Sequence, residues 1–454
     1  MTCEGEIWRH SRAAAPGDPW QGWKLHISAT VLTANRVLEA IGPFLRDRRT
    51  LFKGPVSLQE LNRLNSGLRY GYTQVGKCLT IYPETTEEAV ALAERLHELT
   101  RGIPAPAVPF DLKFRPHSCI HYRFGAFKHQ EIENKDGVYV LALRTPEGRL
   151  VPDVRESVAA RPDWVSDPFS GLRPQSNAPL VESPLATTFR AFRALTQRGK
   201  GGVYQALDLS AERPRLCILK EGRRHGEPDW DGRDGRWRVR NEEKALTALR
   251  AFGVEVPRVY ASFEVEGHFY LVTEFIEGVS LQSLLNKRLK RLPVGRALRY
   301  GFQLSVLLSR IHSAGWAWQD CKPSNLIVTK EGALRPVDFE GACSVNRPRP
   351  IPWVTHTFTP PESGEESSTQ PRAADDLYAL GVVIYHLLSG ILPSMPNPAP
   401  LGALRRNVPA VVGQLVSELL DPNPQRRPAA DFVARSLLSV LPSGSARPKA
   451  GLTG

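Results

Sequence analysis

Cysteine is sparse and scattered: Cys3, Cys78, Cys119, Cys217, Cys321 and Cys343 never form a Cys-x-x-Cys pair. That excludes a zinc knuckle and a disulfide framework, and fits a reducing cytoplasm. A signal peptide is also missing, because Glu4, Glu6, Arg9 and His10 interrupt the N-terminus. The longest apolar run, Ala379 to Leu392, contains His386 and is too short to span a bilayer, so it reads as a buried helix. No internal repeat is visible. Acidic residues are outnumbered: the 454-residue chain carries a formal net charge of +12. Such an excess fits acidic or phosphorylated ligands, or simply a basic surface. An apolar fraction of 41% is ample for packed cores, and the length allows two or three domains.

What is present divides the chain. Thr85 and Thr86 can cap a helix running to Leu99, with Glu87 and Glu88 in its first turn. Ala89, Leu92, Ala93, Leu96 and Leu99 share one face of it. Val138–Leu143 and Leu150–Val154 flank Pro146-Glu147-Gly148 as a hairpin. A Pro-, Ser- and Asp-rich stretch with Trp164 and Phe169 reads as a docked connector. The spacing predicts a domain over 1–157, the connector over 158–184, a second domain over 185–441 and a disordered tail over 442–454.

The second domain reads as a protein-kinase-like phosphotransferase, because its signals come in order. Gly199, Gly201, Gly202 and Val203 form a turn where a backbone can approach phosphates. Lys220 ends a strand and is placed to hold the α- and β-phosphates, and Glu242 opens a helix to pair with it. Glu274 and Ile276 stand at the nucleotide hinge. Asp320-Cys321-Lys322-Pro323-Ser324-Asn325 fits a catalytic loop: Asp320 accepts the hydroxyl proton, Lys322 assists, and Asn325 with Asp338 of Asp338-Phe339-Glu340 holds Mg²⁺. ATP or GTP is the expected nucleotide. Glu362 and Arg427 are an expected ion pair, and Asp376 and Gly381 an expected buried pair. Trp318-Gln319 replaces the usual His-Arg, so no reader of an activation-loop phosphate is evident and a constitutive enzyme is expected.

In the first domain, Lys24 and His26 share a strand face, and Lys53 follows in Leu51-Phe52-Lys53. Arg115, Arg123 and Lys77 add cations. Physically this is an anion site with a candidate acid, His26, and a candidate base, Lys53; the alternative is a basic surface with a satisfied histidine. The Lys-x-His and later Phe-Lys stretches resemble the phosphothreonine-lyase family of bacterial effectors. The wider text resembles class III lanthionine synthetases, through Gly76–Pro83, Phe114-Arg115-Pro116, His121–Phe127, Trp164–Phe169 and Asp338-Phe339-Glu340-Gly341-Ala342.

That resemblance implies an α+β chain: a phosphothreonine-lyase-like domain, then a bilobal kinase. It implies a dehydratase that phosphorylates Ser/Thr of a precursor peptide and eliminates the phosphate. Lys53 would then be base, His26 acid and Lys24 a stabiliser of developing charge, with Arg115, Arg123 and Lys77 on the phosphate. Burial and neighbouring cations would help keep such a lysine neutral. Family members carry a further cyclase domain after the kinase, whereas this sequence stops at Gly454, so ring closure is expected to be spontaneous or to fall to a separate cyclase, with a cysteine decarboxylase as the source of a different crosslink. The partner is a precursor peptide with an N-terminal leader; no nucleic acid or membrane partner is expected. The Arg-, Asp-, Gly- and Trp-rich segment from Arg223 to Arg240 is the expected leader contact. A signalling Ser/Thr kinase with a basic phosphate-binding regulatory domain is the alternative.

Overall fold

The computed structural model describes residues 7–134, 136–153, 161–172, 183–288, 291–346, 356–364 and 372–441. The expected tail, and residues 158–160 and 173–182 of the connector, lie outside them. The chain forms two compact units. One holds Met1–Arg215, Leu219–Trp237 and Phe263–Tyr270; the other holds Leu216–Ile218, Arg238–Ser262 and Leu271–Gly454. Both mix helix and sheet, as an α+β chain requires.

The first unit begins with β1 (Trp8–His10), β2 (Gln21–Ser28), α1 (Ala34–Arg48), β3 (Leu51–Pro55), α2 (Leu58–Ser66), β4 (Lys77–Tyr82), α3 (Thr86–Leu99), β5 (Leu112–Lys113) and β6 (Ile120–Ala126). The six strands make one antiparallel sheet in the order β1-β3-β4-β2-β6-β5. Alternation along β2 sends Trp23, Leu25 and Ile27 into the core. They pack there with Val37, Ile41 and Leu45 of α1 and Leu92, Ala93 and Leu96 of α3. Thr85 Oγ1 caps α3 by accepting from Glu88 N at 3.1 Å. The connector contributes Phe169, fully buried 5.5 Å from the Trp23 ring, so this segment is part of the domain's core.

After the sheet come β7 (Glu131–Glu133), β8 (Tyr139–Arg144) and β9 (Leu150–Pro152), an antiparallel set whose hairpin turns at the expected Pro146–Gly148. The unit then takes in α4 (Pro184–Thr187), β10 (Phe189–Arg198), β11 (Gly201–Asp208) and most of β12 (Arg215–Gly222).

Helix α5 (Gly235–Ala251) starts earlier than its sequence suggests, leaving Glu242 mid-helix. Asp234 Oδ1 accepts from Trp237 N at 3.0 Å and fixes that start. Strands β13 (Val259–Val265) and β14 (His268–Glu274) follow. The second unit is dominated by helices: α6 (Leu281–Arg288), α7 (Val294–Ser313) and α8 (Ala373–Ser389). Helix α8 is buried almost all round, as an apolar helix within a core must be. A Cβ on Gly381 would come within 2.8 Å of Leu419 Cβ, which explains the glycine. No described helix is long and apolar enough to cross a membrane.

Candidate active sites

The face of the six-stranded sheet opposite the core is polar, buried at its centre and exposed at its edges. Strand register aligns one residue from each strand across it. His10 lies opposite Lys53, Lys53 opposite Thr80, Thr80 opposite His26, His26 opposite His121, and His121 opposite Lys113. Opposed residues point to the same side of a sheet. Lys53 and His26 are therefore two strands apart, about 10 Å between backbones. One pair along, Lys24 lies opposite Arg123. Lys24, His26, Lys53, Lys77, Thr80 and Arg123 line a cavity of about 250 Å³. Aromatic rings hold two of the lysines: Lys53 Nζ lies 4.6 Å from the Trp8 ring centre and Lys24 Nζ 5.7 Å from that of Tyr82. The N-terminal sheet thus brings together every expected first-domain residue except Arg115. Arg115 lies over Phe114 with its guanidinium 3.5 Å from Glu94, outside the cavity lining.

Three contacts bind the segment before β5 onto this polar face. Ser28 Oγ donates to Pro106 O at 2.6 Å, Val108 N donates to His121 Nε2 at 3.4 Å, and Asp111 Oδ2 accepts from His26 Nδ1. Burial pushes the His26 imidazole down, Asp111 pulls it up, and Lys77 and Lys24 push it down again; the net direction is down. Burial opposes ionisation of Asp111, but His26, Lys77 and Arg123 outweigh it and hold the carboxyl below its ordinary range. His121, fully buried, is pushed down to about 4, chiefly by burial. Arg123 forms a buried pair with Asp153, just past β9. Asp111, His121 and Asp153 were not singled out by sequence, since none sits in a recognisable spacing with Lys24 or His26.

The second unit holds the other set. Lys322 Nζ lies 2.7 Å from Asp320 Oδ1. Asn325 Nδ2 donates to Asp320 Oδ2 at 2.7 Å and to the Asp320 carbonyl at 3.0 Å. Burial raises the Asp320 carboxyl, Lys322 opposes this, and Asp338 adds to it. Asp376 anchors the loop: it accepts from Trp318 N and Gln319 N at 2.8 Å each, and hydrogen-bonds His312 Nε2 at 2.9 Å. Gln319 and Asp338 both adopt a φ of 66°, costing about 1–3 kcal/mol each, and the Asp376 contact with Gln319 N helps hold the first of them. Trp318 fills the usual histidine position usefully. Its ring stacks on Phe339 at 5.1 Å and its Nε1 donates to the Asp338 carbonyl at 2.9 Å. Glu242 Oε1 accepts from Phe339 N at 3.0 Å, and Asn241 Nδ2 donates to the carbonyls of Glu340 and Ala342. Arg427 and Glu362 pair through both guanidinium nitrogens, at 2.7 and 2.9 Å.

The oxygen donors of Asn325 and Asp338 suit a hard cation such as Mg²⁺, which needs few protein ligands beside substrate phosphates and water. Glu274 lies at the end of β14, where its Oε2 accepts from Arg258 N at 3.2 Å; Ile276 just beyond is half-buried. Lys220 is carried by β12 and Val203 by β11. The glycines have a packing reason as well. Gly199 N donates to Ser66 O at 3.1 Å, and a Cβ there would lie 1.7 Å from Asn65 O. A Cβ on Gly201 would meet Glu221 O at the same distance, and one on Gly202 would meet the Tyr204 hydroxyl at 2.4 Å. The 223–234 stretch is a braced loop, not a loose insert: Asp229 accepts from Asp231 N and Arg233 N, leaving Trp230 exposed.

Comparison with known proteins agrees with this geometry. The protein kinase domain family matches residues 197–438, more than half of the chain. The chain belongs to the protein kinase family. The RamC N-terminal domain family matches residues 2–179. A RamC-type domain followed by a kinase domain is the arrangement that the resemblance to class III lanthionine synthetases implied. Over 355 residues the chain is 30% identical to the probable SapB synthase of Streptomyces coelicolor, covering 76% of this chain and 37% of that protein. It is 27% identical to the serine/threonine-protein kinase PknE of Mycobacterium bovis, covering 54% of this chain and 45% of the kinase. With PknA of Mycobacterium tuberculosis it shares 28% identity, over 57% of this chain and 63% of PknA.

Proposed function

We propose that this kinase phosphorylates Ser and Thr of a ribosomally made, lanthipeptide-type precursor and then eliminates the phosphate, giving dehydroalanine and dehydrobutyrine. The observation that carries this reading is the row of half-buried Lys53 with buried Thr80 and His26, beside Lys24, Lys77 and Arg123, in a chain that also holds a braced kinase catalytic loop.

In the first half-reaction Asp320 accepts the substrate hydroxyl proton, and Lys322 beside it steadies the developing charge. Asn325 and Asp338 would hold Mg²⁺, Lys220 the nucleotide phosphates, and Glu274 and Ile276 the base. Bound ATP supplies the transferred phosphoryl group.

In the second, Lys24, Lys77 and Arg123 receive the phosphate; a planar guanidinium suits its oxygens. Lys53 removes the α-proton. The α-carbon electron pair forms the double bond, the Cβ–O bond breaks, and its electrons leave with the phosphate. Asp111 engages His26 Nδ1, so Nε2 is the atom that passes a proton to the leaving oxygen. A bound phosphate dianion would raise the imidazole toward the protonation this needs. Arg115 would contribute only from a distance. The peptide, a separate cyclase or decarboxylase, and a cytoplasmic setting belong to the same proposal.

The test is a synthetic phosphoserine peptide incubated with the protein, without nucleotide, and followed by mass spectrometry. Loss of phosphoric acid is expected. An unchanged phosphopeptide would instead favour a signalling kinase with a phosphate-binding regulatory domain.

A further inference from the structure

A second cavity, of about 550 Å³, lies wholly within the first unit. That size is ordinary for a ligand pocket. Its walls are aromatic: Tyr72, Phe110, Phe189, Tyr204 and Tyr270. Three charged side chains line it, and two of them cancel, leaving Arg190 at the rim. Arg223 holds Glu221 through Nε and Nη2, both at 2.9 Å, and Tyr204 donates to the same carboxylate at 3.0 Å. With Glu221 and Arg223 paired to each other, the aromatic interior favours an apolar guest, and Arg190 adds a cation for a carboxylate beside it.

The strand beside it is unusual. β10 ends its sheet, and its ten residues oppose eight of β11 through two bulges. The two extra residues are Phe192 and Leu195, and both are exposed, by 56% and 44%. Bulges re-aim side chains and deter strand addition, so the strip is built for side-chain contact. Arg190 and Arg193 are exposed beside it, and no carboxylate among the described residues pairs with either. We propose that this cavity and the β10 strip anchor an acidic, apolar segment of the peptide substrate, one apolar side chain entering the cavity and carboxylates meeting Arg190 and Arg193. The assignment rests on the peptide-modifying reading above.

Two short segments link this cavity to the cation cavity. Tyr72 faces the second and Gln74 the first, within one turn; Phe110 lines the second, and Asp111 beside it holds His26. An anchored peptide would therefore also steady the His26 partner.

Fluorescence anisotropy of the full chain with a fluorescein-labelled peptide of repeated Glu-Leu-Leu-Glu units tests the anchor. Saturable binding is expected, weakened about tenfold or more by Phe192→Ser, by Ala191→Trp at the cavity wall, and by Arg190→Glu with Arg193→Glu. Arg95→Glu with Arg435→Glu, a charge-matched change elsewhere, should leave it within about twofold. No saturable binding, an equal loss in the charge-matched control, or wild-type affinity in Phe192→Ser would overturn the proposal. So would sedimentation showing that Phe192→Ser breaks a dimer, since the strip would then serve a second copy. Elimination from a short phosphoserine peptide, measured on wild type, tests the underlying reading separately. Its absence would refute the dehydratase while leaving the binding result standing.

Discussion

In the proposed mechanism the two candidate sites would handle phosphate with opposite charge. Around Asp320 the chain gathers carboxylates, with Asp338 and the Asn325 amide, to suit a metal ion that in turn holds phosphates. On the N-terminal sheet it gathers Lys24, Lys53, Lys77 and Arg123 with two buried carboxylates, Asp111 and Asp153, and in the proposed elimination the cations would meet the phosphate directly. Transfer of a phosphoryl group requires charge neutralised on a nucleotide. Elimination requires a base and an acid on either side of a leaving phosphate, with cations in place of a metal. The net charge of +12 fits the second arrangement.

The comparison breaks most sharply at Asp338. Asp338→Asn should abolish phosphorylation of a Ser/Thr peptide while elimination from a preformed phosphopeptide continues at the wild-type rate. Phosphate release with and without nucleotide separates the two. On the other side, Asp111→Asn should slow elimination about 10²-fold, the low end of what a poorly held general acid costs, and spare phosphorylation. Because Asp111 pulls the His26 pKa up, its loss should also move the limb of the kcat/KM profile that His26 sets to lower pH.

The sites also differed in how far sequence exposed them. Asp320, Lys322 and Asn325 lie close together along the chain, so spacing alone pointed to the roles proposed for them. The sheet site depends on register: Lys53 meets Thr80, and Thr80 meets His26, only because β3, β4 and β2 are neighbours in that order. Period-two alternation put Lys24 and His26 on one face, but nothing local pointed to Asp111, which reaches His26 from a loop. Arg115 failed to join them because the chain turns it toward Glu94 before β6 begins. The start of α5 was missed because Gly235 is a poor helix former, at a start that Asp234 nonetheless caps.

Two smaller effects sharpen the contrast through stability. Gly199→Ala would drive a Cβ into Asn65 O and should cost about 3 kcal/mol or more, read by denaturant unfolding. His121 gives the acid response its sign. Its folded pKa, about 4, lies below its unfolded value near 6.5, so the unfolded chain binds the extra proton first. Stability should therefore fall as pH drops from about 6.5 to 4, by about 1–3 kcal/mol from this residue. Melting temperature against pH should show a shallower decline in His121→Asn.

Lys53→Met offers the most direct measurement of the central claim. The protein, Mg²⁺, ATP and a Ser/Thr precursor peptide are combined, and the products are read by mass spectrometry. The account predicts that the peptide gains phosphate at the wild-type rate and keeps it, with elimination slowed about 10²–10⁴-fold. Dehydrated peptide formed at the wild-type rate by Lys53→Met would contradict it.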